Sequence, residues 1–462
     1  MLDKHKVERM PEPPKFRKLL GPSFILLGLG LGSGEIILWP YLTSNFGMGI
    51  IWGAVLGITL QFFMNMEIER YSLTRGESIF VGFARKLKFA PYWFIFSTFA
   101  GFAWPGIVAA SASLLGEFFG IAQYQYIAIG LLVLMGLILT LGPVLYKTME
   151  RFSMLLILLG VPAIFIITLF LADKADWTAL IRGIVGIGDG YRFLPVGIPV
   201  ASFLAAFAFS GAGGNLNLAQ SFYVKEKGYG MGKFSGRITS ILTGKVEDVR
   251  LEGARFEMNE DNLTRFKSWW RLINFEHLIV FWATGAFSIC LLGLLAYATA
   301  YGTATPASGI NFVVFEAQAI ARATLPVFGG AFLLVGGLML FSTQMTVFDA
   351  TSRIMSENLL ILKKRNWSPR SLPKIYYSFL WAQILAGIVI FLTGLTEPLA
   401  LLTIEAVINA AAMFVHIGAT TLLNISSLEK QVRPGMVRIS AMTAAFAFFG
   451  YFLLKTILGI TT

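Results

Sequence analysis

The sequence predicts an all-α polytopic membrane protein of about eleven transmembrane helices, built as two inverted five-helix repeats with one helix appended. Three observations carry that expectation. Of 462 residues, 56% are hydrophobic and only 14% charged, beyond the average of soluble proteins. Eleven apolar stretches, spread along the whole chain, reach the length of about 20 residues that a helix needs to cross a bilayer core. The first and the sixth of these are broken by glycine at their centres.

The predicted spans lie near 21–44, 49–69, 92–116, 124–142, 152–172, 196–223, 273–299, 327–349, 376–394, 397–422 and 437–458. The first is interrupted by Gly28-Leu-Gly-Leu-Gly-Ser-Gly-Glu35 and the sixth by Ser210-Gly-Ala-Gly-Gly-Asn215. Peptide in lipid must satisfy its own hydrogen bonds, so unwound backbone at membrane depth survives only where it lines protein or a water cavity. Paired breaks at corresponding positions of two halves point to a secondary-transporter substrate site. Spans one to five (21–172) and six to ten (196–422) each open on a broken segment. With five spans per half, the second half starts on the opposite side of the membrane. The remainder is a basic tail (1–20), an outer loop (173–195), an inner insert (224–271) and the appended span (437–458). The loop is expected to carry a short amphipathic piece, and the insert, with ten basic and seven acidic residues, to be a solvated linker. Ser352–Leu362 is expected to continue the eighth span out of the membrane.

The net charge of +11 would suit nucleic acid, but its placement argues otherwise. With the amino terminus in the cytoplasm, 32 of 37 Lys and Arg fall in inside segments, which is the positive-inside bias. The expected setting is a cell membrane, multi-pass, with the amino terminus inside and the carboxyl terminus outside. The lipid bilayer is the expected partner and nucleic acid is not. Residues 1–20 are polar, basic and proline-bearing, so no cleavable signal is expected. The single Cys290 excludes an intramolecular disulfide and any cysteine-based metal cluster. No nucleotide loop, metal cluster or nucleophile motif is present, so an enzyme is not expected and neither is a cofactor.

Glu35 is the main candidate for chemistry, because an ionisable group inside a membrane is costly. A helix restarting at Gly34 puts Glu35 in its first turn, where the helix dipole stabilises a carboxylate. Carbonyls freed by the break, beside that carboxylate, suit a hard cation, an amine or a proton. The amides of Gly32, Ser33 and Gly34 suit an anion. In the sixth span Gly213, Gly214, Asn215 and Asn217 offer a permissive backbone and two amides. A proton or ion path is expected among Glu276, His277, Glu405, His416 and Asp349. Of these, Glu276 and His277 sit where a headgroup-facing position is as natural. Asp349 and Arg353, four apart, meet on one helix face. Glu67, Glu69 and Arg70 read as gate or surface pairs, and Gln61, Asn65 and Gln344 as interhelical glue.

Gly21-Pro-Ser-Phe24, then Gly32-Ser-Gly-Glu35, Phe46-Gly47 and Trp52 resemble the first span of the Nramp family, proton-coupled divalent-metal transporters of LeuT-type fold. Gln61, Thr74-Arg-Gly76, Tyr146-Lys-Thr-Met-Glu-Arg151 and, more faintly, Ser342-Thr343 through Glu357 are similar to later parts of that family. Where the family has its metal-binding Asp-Pro-Gly-Asn, this chain has Gly32, Ser33, Gly34 and Glu35. The family's soft sixth-span ligand falls near Ala212, and its third-span acids near Ile107 and Ala110. The resemblance implies transport of a divalent metal, with Glu35 as its expected ligand. The missing thioether shifts the expectation from manganese or iron toward magnesium. The coupling ion, proton or sodium, stays open. Gly32-Ser-Gly34 with Pro40, and Gly213-Gly-Asn-Leu-Asn217, also resemble amino acid–polyamine–organocation transporters. That resemblance implies the alternative, an amino acid or small organic acid with its carboxylate on Gly32-Ser33-Gly34.

Overall fold

The computed structural model describes residues 6–14, 23, 26–28, 32–141, 145–235, 251–302, 309–363 and 372–459. Gly30 and most of 15–31 lie outside the described residues, as does the middle of the insert, 236–250. Among the described residues, eight helical stretches are long and apolar enough to cross a membrane: Met48–Arg75, Ala90–Phe119, Tyr124–Leu141, Glu260–Ala300, Pro326–Leu362, Pro373–Leu392, Pro398–Ser427 and Met436–Ile457. The predicted fifth span lies within a longer helix, Leu145–Leu171. The sixth is occupied by two short helical pieces around its break.

In chain order, α1 is Trp39–Phe46 and α2 is Trp52–Arg75. A short α3, Ile79–Lys86, leads to α4, Ala90–Phe102, and α5, Gly106–Phe119. The predicted third span is thus two helices, parted at Ala103–Pro105, because proline lacks the N–H the ladder needs and crowds the preceding turn. Then come α6, Tyr124–Leu141, α7, Leu145–Leu171, and α8, Lys174–Ile184. The α8 helix is the amphipathic piece of the outer loop, opened by a capping box of Asp173 and Asp176. The broken sixth span supplies α9, Val200–Ala208, and α10, Gln220–Lys227. Next are α11, Glu260–His277, α12, Thr284–Ala300, α13, Asn311–Ala323, and α14, Pro326–Leu362. Last are α15, Leu372–Leu392, α16, Pro398–Ser427, and α17, Met436–Ile457.

Equivalent members of the two halves pack on one another. The third-span helices α4 and α5 lie on the eighth, α14, and the fourth, α6, lies on the ninth, α15. The first span (α1) packs on the seventh (α12), and its counterpart α10 packs on α2 of the second. Such reciprocity is what two topologically inverted repeats produce.

The insert departs from the expectation of a solvated linker. Tyr229, Met231, Leu251 and Phe256 are buried, apolar anchors hidden among charges in the sequence. Gly253 lies flat against the backbone of Arg75–Gly76, where a side chain would overlap. The seventh-span helix begins at Glu260, well before 273, because Asn259 caps it, accepting from the Asn262 N–H at 3.0 Å, and Phe266, Trp269 and Ile273 extend its buried face. The amino-terminal tail is pinned to the same insert. β1 (Lys6–Val7) pairs in parallel with β2 (Ala254–Arg255). The Met10 N–H donates to Asn262 Oδ1 at 3.0 Å, and Trp269 Nε1 donates to the Pro11 carbonyl at 2.9 Å. Arg9, donating to Asp261, and Arg265 beside it hold the Asp261 carboxyl below its ordinary range.

Asn262→Ala removes the acceptor of the Met10 amide, a loss of about 1 kcal/mol for a net hydrogen bond. Tryptic cleavage after Arg9 in nanodiscs should therefore quicken severalfold. An unchanged rate would show that the tail is held by other contacts.

Candidate functional site

The two breaks touch. After Gly32 the chain re-enters helix at Ser33, one residue before the expected restart. It does so as a π-helical segment, Ser33–Leu38, that runs directly into α1. Glu35 falls in its first turn. A β-carbon on Gly34 would overlap the Phe209 carbonyl at the end of α9, so only glycine lets the first span reach the sixth. Trp39 Nε1 then donates to Ser210 Oγ at 2.9 Å.

The sixth span is held open by side chains of its neighbours. Gly213 and Gly214 both have positive φ, 71° and 54°, in the left-handed region open to glycine. A 3-10 segment, Gly214–Ala219, follows. Gln61 on α2 donates to the Ala208 carbonyl at 3.0 Å and accepts from the Gly213 N–H at 3.3 Å and Asn217 Nδ2 at 3.1 Å. His416 Nε2 lies 3.1 Å from the Gly214 carbonyl. Peptide groups that lost their helical partners thus regain them from α2 and α16.

Glu35 is fully buried, and neither carboxylate oxygen has a hydrogen-bond partner among the described residues. Oε1 faces α12, where a β-carbon on Gly285 would stand 3.6 Å away, beside Ile58 and Leu27. The two sixth-span amides commit their donors elsewhere. Asn215 Nδ2 donates to Ser97 Oγ at 2.8 Å and Thr98 Oγ1 at 2.9 Å, and Asn217 Nδ2 also reaches Asn65 Oδ1 at 2.8 Å. No hydrogen bond joins either amide to Glu35. Both keep a buried, unpartnered Oδ1. Gly32 lies against the side chain of Thr343 on α14.

Among the other expected residues, Glu276 and His277 do not face headgroups. Both are buried, and Ser23 of the first span donates to Glu276 Oε2 and lies 2.9 Å from His277 Nδ1. Asp349 accepts from Arg353 Nε at 3.0 Å and Tyr376 at 2.7 Å, while Arg353 Nη1 crosses to Glu226 on α10 at 2.7 Å. This ion network is buried and ties the sixth, eighth and ninth spans. Glu67 and Arg70 form no surface pair. They are buried and bonded at 2.8 Å, and Trp270 packs between the guanidinium groups of Arg70 and Arg438. Glu405 and His416 are buried on α16 with Asn409, which is wedged against Gly101 and Gly214. Sequence reasoning missed Asn409, Glu226, Tyr376 and Ser23. Asn409 was detectable from its place on the helical face shared by Glu405 and His416. Glu226 and Tyr376 join through tertiary contact alone.

The fold and site define a multi-pass membrane protein of the LeuT type, with its first and sixth spans broken and in contact. No family model and no curated protein matches the chain. Solved structures do. Point mutants of the Eremococcus coleocola manganese transporter superpose with a TM-score of 0.68 at 13% identity, over 98% of this chain and 90% of that one. The same transporter in complex with an aromatic bis-isothiourea substituted compound gives a TM-score of 0.64 at 13% identity, over 99% and 90%. These likenesses establish the fold that the Nramp resemblance implied.

Gly34→Ala should force the spans apart at Phe209, and such overpacking costs about 1–3 kcal/mol. The expected reading is a lower melting temperature in detergent, and an unshifted melt would contradict the contact. Arg353→Met leaves the buried Asp349 without its cation, a loss of about 3–5 kcal/mol. The melt should fall further than for Gly34→Ala, and a neutral result would place the network in water.

Proposed function

We propose that this chain is a secondary transporter working by alternating access, and that it moves a small cation held at Glu35. The observation that carries this reading is Glu35 itself, a wholly buried carboxylate with no hydrogen-bond partner among the described residues, in the first turn after a break that touches the second break. In a membrane interior such a group needs a cation or a proton. The buried ion pairs of Arg353, Arg70 and their partners close the basic end of the bundle, so one gate is shut while the centre is formed. The basic segments favour the cytoplasmic side for that end.

The donor set favours a hard ion. Among the described residues no group of three or more His, Cys, Asp or Glu gathers to hold a metal, and Ala212 stands where a soft ligand would be. A magnesium-like ion, which keeps several waters and takes only one or two carboxylates, fits better than manganese. A second reading rests on the restarted helix, whose first-turn amides at Ser33 and Gly34 offer donors to a small carboxylate.

A thermal-stability screen of the purified protein separates the two. A ligand at a hundred times its dissociation constant stabilises by about 2.7 kcal/mol. Magnesium should raise the melting temperature of the wild type and leave Glu35→Gln unmoved. A shift from amino acids or small carboxylates alone, retained in Glu35→Gln, would replace the cation reading with the second one.

A further inference from the structure

One face of α16 carries a row of buried polar groups that the site around Glu35 does not use. Glu405, Asn409, His416, Thr420 and Asn424 follow at spacings of four, seven, four and four. At about 100° per residue they fall in one stripe of the helix surface. All five are at most 1% exposed. Each keeps at least one side-chain polar atom without a hydrogen-bond partner: both oxygens of Glu405, Asn409 Oδ1, His416 Nδ1, Thr420 Oγ1 and Asn424 Oδ1.

The pattern is not the ordinary behaviour of this helix. Thr403 and Thr421, off the stripe, close onto the carbonyls of Leu399 and Ile417 at 2.8 Å. Thr420, on the stripe, does not. The elements packed against α16 repeat the feature, with Asn215 Oδ1 and Asn217 Oδ1 from the sixth-span break and Asn65 Nδ2 from α2 also unpartnered. Buried polar atoms in native proteins are satisfied by protein or by ordered water. Unsatisfied ones sharing one stripe of a membrane helix, parted by the buried Met413 between Asn409 and His416, mark places for water and for what water carries.

From Glu405 to Asn424 the stripe rises about 29 Å at 1.5 Å per residue, close to the about 30 Å of a hydrocarbon core. Its far end meets charge, for Asn424 Nδ2 donates to the Glu67 carbonyl at 2.8 Å and to Glu67 Oε2 at 3.1 Å. Glu67, Glu69, Arg70 and Arg438 gather at that end. Glu35 is the charged group of the 33–38 segment packed on α16. Glu405 is the stripe's own carboxylate. The α4, α9 and 214–219 elements around it carry no charged residue, and Glu117 on α5 is exposed.

We propose that the polar face of α16 is a water-lined path for a monovalent cation, a proton or sodium, with Glu405 as its binding carboxylate. The proposal rests on the transporter reading and deepens it, giving the coupling ion a route separate from the cargo at Glu35.

Infrared difference spectroscopy in nanodiscs tests it without a transport assay. In sodium-free buffer the wild type should show the carbonyl stretch of a buried carboxylic acid that disappears in Glu405→Gln and returns, shifted, in Glu405→Asp. Thr420→Val, which keeps the shape and removes the hydroxyl, should slow deuterium exchange of that band at least tenfold. Loss of the band on adding sodium at fixed pH identifies sodium, and its persistence identifies the proton. The Glu35→Gln variant should keep the Glu405 band, so failure of the cargo site is distinguishable from failure of the path. A carboxylic-acid region identical in wild type and Glu405→Gln, or unchanged exchange in Thr420→Val, would overturn the proposal.

Discussion

The structure depends on one constraint, that peptide groups at membrane depth cannot be left without hydrogen bonds. Breaking two spans frees such groups, and each is answered by a particular side chain. Gln61 serves the end of α9 and the start of the 214–219 turn at once. His416 takes the Gly214 carbonyl. Gly34 lets the first span lean on the Phe209 carbonyl, and Trp39 secures Ser210. These bonds join elements that would otherwise slide freely, so the breaks, the neighbouring helices α2 and α16, and the position of Glu35 form one arrangement.

That arrangement has two unlike parts. Beside Glu35 lies Gly285 of α12, and the carboxylate oxygens have no hydrogen-bond partner among the described residues. Around Asn215 and Asn217 the walls are amide and hydroxyl, supplied by Ser97, Thr98 and Asn65. A buried carboxylate without a hydrogen-bond partner favours neutralisation by an arriving cation, whereas a polar-walled cleft favours water. The basic end of the bundle is different again. There the sixth and eighth spans are joined by the buried ion pairs of Arg353 with Glu226 and Asp349, whose partners must stay together because a single buried charge is far costlier than a pair.

Much of this was legible in the sequence. Apolar length gave the long helices, and the glycine runs gave both breaks and placed Glu35 beside one of them. The spacing of Asp349 and Arg353 gave their pairing. What the sequence concealed was tertiary. Glu276 and His277 read as well for headgroup-facing residues as for members of an ion path, because they open an apolar run, and α11 extends that helix backwards and buries them against Ser23. The insert read as solvated because its charges outnumber its anchors, although four buried apolar residues suffice to dock it. Asn215 and Asn217 read as two amides offered at the sixth-span break, and only the fold shows that their nitrogens are turned to α4 and α2.

The central claim is that the contact between the two breaks is the pivot of an alternating-access cycle biased by a cation. Electron-electron distance measurements address it directly, with spin labels at the exposed positions Glu12→Cys in the tail and Lys430→Cys after α16, in a Cys290→Ala background. In nanodiscs the account predicts two distance populations whose ratio shifts when magnesium is added, and a ratio fixed against magnesium when Glu35→Gln is present. A single population, unmoved by the ion in either protein, would contradict it.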